Sequence, residues 1–116
     1  MNIINTTPHT VTFRNLDKTE FTVEPCGILI NARIIEKHIS IHPSGADLVR
    51  AYFISDYENS LALAELETAN PDALIVGSII AAQAFPGRVF GLTSAPGFER
   101  VPVDQKRMNP DKFTTF

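Results

Sequence analysis

The chain has 116 residues, of which 44% are hydrophobic and 20% are charged, and its formal net charge is −3. These values exclude a largely disordered chain and predict a single globular domain over residues 1–116. No apolar run reaches the roughly 20 residues that cross a bilayer, so we expect a soluble, cytoplasmic protein without a membrane partner. The one cysteine excludes an internal disulfide.

Charge is unevenly divided along the chain. Residues 54–87 carry five acidic side chains and no basic one, whereas residues 88–116 carry five basic and three acidic ones. The net negative charge argues against duplex nucleic acid as a partner, because that binding needs a strongly basic face. A small anionic ligand is compatible with the positive C-terminal segment.

The N-terminal half has the periodicity of antiparallel strands. Polar and apolar residues alternate in 10–14 and 21–24 around turn residues at 15–18, which predicts a β-hairpin. A run of β-branched residues predicts a third strand over 28–35. Two more strands are predicted over 38–42 and 48–54, on either side of a break at 43–45.

The second half adds two short helices. Strong helix formers over 61–69 predict the first, with Asn59 or Ser60 as its N-cap and Asn70 at its stop signal. A buried strand over 73–77 runs into the second helix, for which Ser78 is the predicted N-cap. We expect the N-terminus of that helix to lie near a polar cleft.

Short elements complete the predicted chain. We expect strands over 89–92 and 100–103, and one helical turn capped by Asn109 before the chain closes. The predicted fold is therefore α+β, a mainly antiparallel β-sheet with two short helices packed on it.

Histidine and cysteine residues, which often take part in catalysis, are present, but they do not form a recognisable catalytic motif. His38 and His42 share a strand face, but no third ligand is near them in sequence, so two surface histidines are favoured over a metal site. Cys26 could act as a nucleophile with His9 or His38, yet a lone cysteine is more often a small buried hydrophobe. We therefore expect no catalysis, no metal and no cofactor.

The segment 5–10 concentrates polar side chains just before the first hairpin. Its Asn, Thr and His side chains can satisfy backbone groups in a bend, which is the favoured interpretation. The alternative is that His9 reaches a cleft.

The C-terminal segment is the best ligand candidate. Lys106, Arg107 and Lys112 lie within seven residues, and cations beside a capped turn suit a phosphate. An aromatic ring on a loop or strand end can stack a purine base, although a core ring and a solvated basic tail are the plainer interpretations. The predicted ligand-binding residues are Arg107, Lys112, Arg88, Phe85, Phe90, Lys106, Asn109 and, more weakly, Arg33.

Several motifs resemble those of small proteins encoded by tailed phages and prophages. They are an Asn-x-x-Pro-His-x-Val start at 5–11, Pro-x-Gly at 25–27 followed by Ala-Arg at 32–33, the run at 75–82, and Pro-Gly-Arg at 86–88. The family pattern reads Pro-Ser-Gly where this chain has Pro-Cys-Gly at 25–27. A Pro-Ser-Gly lies at 43–45, so either segment could be the equivalent of the family motif.

Within that group the chain is similar to the Thoeris anti-defence sponges, which hold a cyclic ADP-ribose isomer. The resemblance implies no catalysis, a pocket at a subunit interface of an oligomer, and a cyclic nucleotide ligand. We therefore expect a homo-oligomeric protein that captures a small phosphorylated nucleotide unchanged. The alternative is a phage structural or protein-interaction adaptor that docks a partner on a sheet edge.

Overall fold

The computed structural model describes residues 2–116, in which eight strands and two α-helices form. The strands are β1 (Ile3–Asn5), β2 (Val11–Arg14), β3 (Glu20–Val23), β4 (Arg33–Ile41), β5 (Asp47–Ile54), β6 (Leu74–Gly77), β7 (Phe90–Ser94) and β8 (Met108–Thr114). The helices are α1 (Tyr57–Ala69) and α2 (Ile79–Ala84), and a 3₁₀ turn covers Val103–Gln105. The predicted α+β fold class is confirmed, since the antiparallel pairs contain most of the paired residues. The pairs β1 with β6, β6 with β7 and β2 with β8 are parallel.

Six strands form one sheet in the order β1-β6-β7-β8-β2-β3. The sheet curls so that its two end strands approach each other: Asn5 forms a bridge to Pro25, and the Cys26 N–H donates to the Asn5 carbonyl at 2.8 Å. The short parallel strand β1 was not predicted, because three residues carry too little alternation to mark a strand.

The main hydrophobic core lies where the two helices meet the sheet. Its buried members are Ile30, Leu63, Leu66, Ile75, Ala81, Ala82, Phe85 and Val89. A second group of rings surrounds Phe13, whose centroid lies 5.1 Å from that of Phe21 and 6.3 Å from that of Phe113. The first group holds the two helices against the sheet. The second packs side chains of β2, β3 and β8 against one another within it.

Within residues 2–116, strands β4 and β5 pair only with each other and form an arm, defined here as residues 33–54. The molecule measures 52 × 36 × 20 Å, and its radius of gyration of 16.6 Å exceeds the roughly 13 Å typical of a compact chain of this length. At the base of the arm, β5 packs against α2.

Two predicted strand segments merge in this arm. The strand expected over 28–35 begins only at Arg33, and it continues through the segment expected separately over 38–42. Residues 28–32 form no strand, because Ile30 is inserted into the core and its N–H donates to the Thr6 carbonyl at 3.4 Å. Burial of one apolar side chain there outweighs β-propensity.

Two predictions for the C-terminal region are wrong. Residues 100–103 form no strand; instead the Gln105 N–H donates to the Pro102 carbonyl and closes the 3₁₀ turn. The helical turn capped by Asn109 is absent, because this residue lies in β8, paired with β7 and β2. Pairing within the sheet overrides the local capping preference.

The start of α1 also differs from the expectation. Neither Asn59 nor Ser60 is the N-cap, because the helix begins one turn earlier, at Tyr57. The Asp56 carboxylate accepts the Asn59 N–H at 2.8 Å and is the cap. The predicted stop is confirmed, with Asn70 at the C-cap.

The predicted cap of α2 is confirmed. The Ser78 hydroxyl accepts the Ala81 N–H at 3.0 Å. We expect Ser78→Ala to lower the free energy of unfolding by about 1 kcal/mol, because that donor then loses its partner. Denaturant titration measures the change, with Ser60→Ala inside α1 as control; equal midpoints for the two variants would contradict the capping role.

Candidate functional site

A cleft of ligand size lies between the loop after β1 and the segment that enters β8. It encloses about 500 Å³, within the range of roughly 300–1,000 Å³ typical of small-molecule sites. Apolar surface predominates in its lining. Its polar lining comes from Thr7, His9, Thr10, Thr12, Ser78, Asp104, Lys106 and Arg107, and its apolar lining includes Leu92, Val103 and Met108.

The loop on one side of the cleft is held by two buried polar residues. The Asn5 side chain is fully buried; its amide donates to the carbonyls of His9 at 2.7 Å and Val23 at 3.1 Å. Its carbonyl oxygen accepts the Thr7 N–H at 2.9 Å. The Thr6 hydroxyl donates to the Val76 carbonyl at 2.8 Å. The expectation that this segment satisfies backbone groups is confirmed, and His9 also reaches the cleft, which was the alternative.

The other side of the cleft is basic, and its charge is partly compensated. Arg107 Nε donates to Glu20 Oε2 at 3.0 Å, and Arg14 Nη1 donates to the same oxygen at 2.8 Å. These hydrogen bonds, first from Arg14 and then from Arg107, hold the pKa of Glu20 below its ordinary value. Lys106 forms no ion pair within residues 2–116.

Two of the predicted ligand-binding residues, Lys106 and Arg107, are therefore brought together in the cleft. Asn109 instead lines a separate pocket of about 220 Å³ beside Phe98, and the Arg14 guanidinium lies 5.3 Å from the Phe98 ring centroid. The Asn109 side-chain oxygen accepts the Asp111 N–H at 2.8 Å, so this side chain bonds to the backbone of its own strand, β8.

Arg88 and Phe85 lie together on the helical side of the molecule, away from the cleft lining. Arg88 donates twice to the Glu67 carboxylate, at 2.6 and 3.1 Å, and its guanidinium lies 5.8 Å from the Phe85 ring centroid. Only 3% of Phe85 is exposed, because the ring belongs to the core. Phe85 therefore has the position of a core ring, which was the plainer alternative to a ring that stacks on a base.

The remaining predicted residues are dispersed. Phe90 is half-buried in β7, where it pairs with Val76. Lys112 is exposed on β8, and its carbonyl accepts the Thr93 hydroxyl at 2.7 Å. Arg33 is exposed at the base of the arm. None of these three side chains lines the 500 Å³ cleft.

Sequence patterns did not indicate Glu20, Asp104 or the threonines of the loop as site residues. Glu20 reaches Arg107 across 87 positions, and only the pairing of β2 with β3 and β8 places the two side chains together. Ser78 was predicted as a cap with the N-terminus of its helix near a polar cleft, and it does line the 500 Å³ cleft, although most of that lining is apolar.

The residues considered for catalysis are separated. Cys26 is exposed, so the prediction of a small buried hydrophobe is wrong: the residue lies in the turn after β3, where Gly27 has a φ of 90° and the chain is at the surface. His38 and His42 lie on the arm, where their Nδ1 atoms contact Asp47 and Ser44. Within residues 2–116 no three metal-ligating side chains form a group.

The ion pair of Glu67 with Arg88 has a testable pH dependence. The hydrogen bond from Arg88 lowers the pKa of Glu67, so the stabilisation is present above the ordinary carboxyl pKa and is lost as the pH falls through the folded-state value. Both side chains are more than a third exposed, so we expect Glu67→Gln to cost only about 0.5 kcal/mol near pH 7.

Denaturant titrations of both proteins at about pH 7 and about pH 3 measure this difference. Glu99→Gln, the same substitution at an exposed carboxylate that forms no ion pair in the described chain, is the control. A cost for Glu67→Gln that persists unchanged at the lower pH would contradict the assignment.

Comparisons with family profiles, with curated proteins and with solved structures give no match to this chain. Among the described residues, no helix is long and apolar enough to span a membrane.

Proposed function

We propose that this protein is a non-catalytic binding protein that sequesters a small phosphorylated cyclic nucleotide in the 500 Å³ cleft. The observation that carries the proposal is the placement of Lys106 and Arg107 beside a largely apolar cleft of ligand size. Such a cleft suits a ligand that combines a base with phosphate, because cations pair with the phosphate while apolar surface covers the base.

The polar groups of the loop support the same ligand. The hydroxyl-bearing residues Thr7, Thr10 and Ser78 line the cleft, and hydroxyls can donate to phosphate or accept from a base. Arg107 uses Nε on Glu20 and Nη1 on the Lys106 carbonyl, which leaves its Nη2 without a hydrogen bond in the described chain. An arriving phosphate would take the place of Glu20, whose carboxylate still keeps Arg14.

The motif resemblance supplies the biological setting. We propose that the protein is an anti-defence sponge of a bacteriophage, acting in the cytoplasm of the infected host and holding a cyclic ADP-ribose isomer or a cyclic oligonucleotide. A sponge releases its ligand unchanged. In support of binding rather than catalysis, the His9 ring forms no hydrogen bond with an acidic side chain within residues 2–116, so nothing there orients it as a base.

The second candidate is a phage structural or interaction adaptor, and the exposed arm favours it. In the described part of the chain, both edges of the arm are unpaired along strands of nine and eight residues. Such edges can add a strand from another protein. An adaptor of this kind would bind no nucleotide.

Binding of a panel of cyclic nucleotides, measured by calorimetry, tests the proposal. We expect Arg107→Ala to weaken the complex about ten- to a hundredfold, because a charge-assisted hydrogen bond contributes roughly 1.5–3 kcal/mol. Glu20→Gln is expected to strengthen it several-fold, because it removes the anion that competes with phosphate. A general change in net charge would give the same two signs, so the control is an arginine that lies away from the cleft.

Arg88→Ala is the matched control, because it also removes one arginine but at a position away from the cleft. Its affinity should equal that of the unmodified protein. Loss of binding with Arg88→Ala but not with Arg107→Ala would place the ligand elsewhere. No binding by any nucleotide, and none released on heating protein from infected cells, would favour the adaptor.

A further inference from the structure

The arm exposes apolar side chains on both of its faces. All nine residues of β4 are exposed, and Ile34, Ile39 and Ile41 have half or more of their surface accessible. On β5, Leu48, Val49 and Tyr52 are exposed as well. An isolated two-stranded hairpin is marginally stable in water, and apolar patches of this extent mark interaction surfaces. We therefore expect another protein surface to cover a face of the arm.

The excess of exposed surface area is large enough for a protein–protein interface. The chain exposes 7593 Å², whereas a compact monomer of this mass exposes about 6,300 Å². The difference of about 1,300 Å² exceeds the roughly 800 Å² that each partner buries in a standard interface. A second copy is the partner that is present whenever the chain is, and two-fold dimers are the commonest assemblies of soluble proteins.

Cross-strand register separates the charges of the arm onto two faces. Paired residues share a face, and one face carries the pairs Arg33 with Ile54, Ile35 with Tyr52, and Lys37 with Arg50. Lys37 Nζ lies 5.8 Å from the Tyr52 ring centroid, as expected for one face. This basic face combines three cations with apolar side chains.

The opposite face of the arm is acidic. It carries Glu36 and Asp47, and His38 Nδ1 lies 2.5 Å from the Asp47 carboxylate. The two faces therefore offer a matched comparison, because they have the same strands and exposure but opposite charge.

Helix α1 presents a complementary surface. Its buried side, Leu63 and Leu66, faces the core. Its outer stripe, defined as Tyr57, Leu61, Ala64, Glu65 and Thr68, is exposed along the whole helix. The spacing of these residues places them on one side of the helix, and they combine apolar surface with the Glu65 carboxylate.

We propose that two copies of this chain form a two-fold dimer in which the basic face of each arm lies on the outer stripe of α1 of the other copy. Arg50 and Lys37 then approach Glu65, while Ile35, Leu48 and Tyr52 cover Leu61 and Ala64. One contact made twice gives a closed dimer, so the arms do not extend into a fibre. The dimer needs no nucleotide and does not depend on the proposed function.

Sedimentation equilibrium of the ligand-free protein tests the proposal. We expect a dimer at micromolar concentration. Arg50→Glu and Glu65→Lys should each raise the dimer Kd about tenfold or more, because each brings like charges together. The double variant should restore the Kd to within about threefold of the original, since it re-forms the attraction with the charges exchanged.

Glu36→Lys, on the acidic face of the arm, is the matched control and should leave the Kd unchanged. All three positions are exposed, so circular dichroism should report an unaltered fold. A monomer up to about 100 μM overturns the proposal. A dimer insensitive to Arg50→Glu and Glu65→Lys also overturns it, and in that case pairing between arm edges is the interface.

Discussion

Phe85→Ala is expected to lower the free energy of unfolding by about 3–5 kcal/mol, the largest effect of any single substitution considered for this protein. The ring is 3% exposed and packs in the core beside Leu63, Leu66 and Val89. Its removal leaves a cavity between both helices and β6, and the backbone hydrogen bond from the Phe85 N–H to the Ala81 carbonyl limits how far the chain can relax.

Urea titration monitored by circular dichroism measures this loss. Phe85→Leu should cost less, because it keeps much of the apolar volume. Phe116→Ala is the control, since that ring is 53% exposed at the chain end and its removal should change stability by less than about 0.5 kcal/mol. Equal losses at the two alanine positions would show that Phe85 is not a core ring.

The same variant addresses the role of Phe85 in binding. Because the ring does not line the cleft, the folded fraction of Phe85→Ala should bind a nucleotide as tightly as the original protein. A loss of affinity measured well below the unfolding midpoint would support base stacking by this ring and would place the ligand on the helical side.

Local patterns predicted those elements whose formation depends on neighbouring residues. The alternation of β2 and β3, the cap at Ser78 and the stop at Asn70 are short-range features, and each is confirmed. The failures arise from distant contacts. Asn109 is a good cap in isolation, but pairing of β8 with β2 and β7 places it in a strand.

The candidate site shows the same division. Clustered cations at 106 and 107 are visible in the sequence, and both line the cleft. Arg88 instead pairs with Glu67, 21 positions away. This ion pair depends on how the end of α2 packs against α1. The exposure of the arm could not be predicted either, since β-branched residues are typical of buried strands. Only the tertiary structure shows that nothing within residues 2–116 covers them.

Asn5→Ala is expected to cost about 2–4 kcal/mol and to disturb the cleft as well. This fully buried side chain donates to the carbonyls of His9 and Val23 and accepts the Thr7 N–H, and so it joins the two end strands of the curled sheet to the loop beside the cleft. Alanine leaves these groups without partners, and each unsatisfied buried group costs roughly 1–3 kcal/mol.

The matched control for this variant is Asn15→Ala, the same substitution in the exposed hairpin turn, where the amide contacts only the Thr19 hydroxyl at 3.0 Å. It should change stability by less than about 0.5 kcal/mol. Hydrogen exchange distinguishes a local from a global effect: if Asn5 fixes the loop, amide protection should fall at Thr7 and His9 before it falls in the core. Equal costs for the two variants, or unchanged protection at Thr7, would show that the β1–β3 closure and the loop are held by the backbone bridge between Asn5 and Pro25 alone.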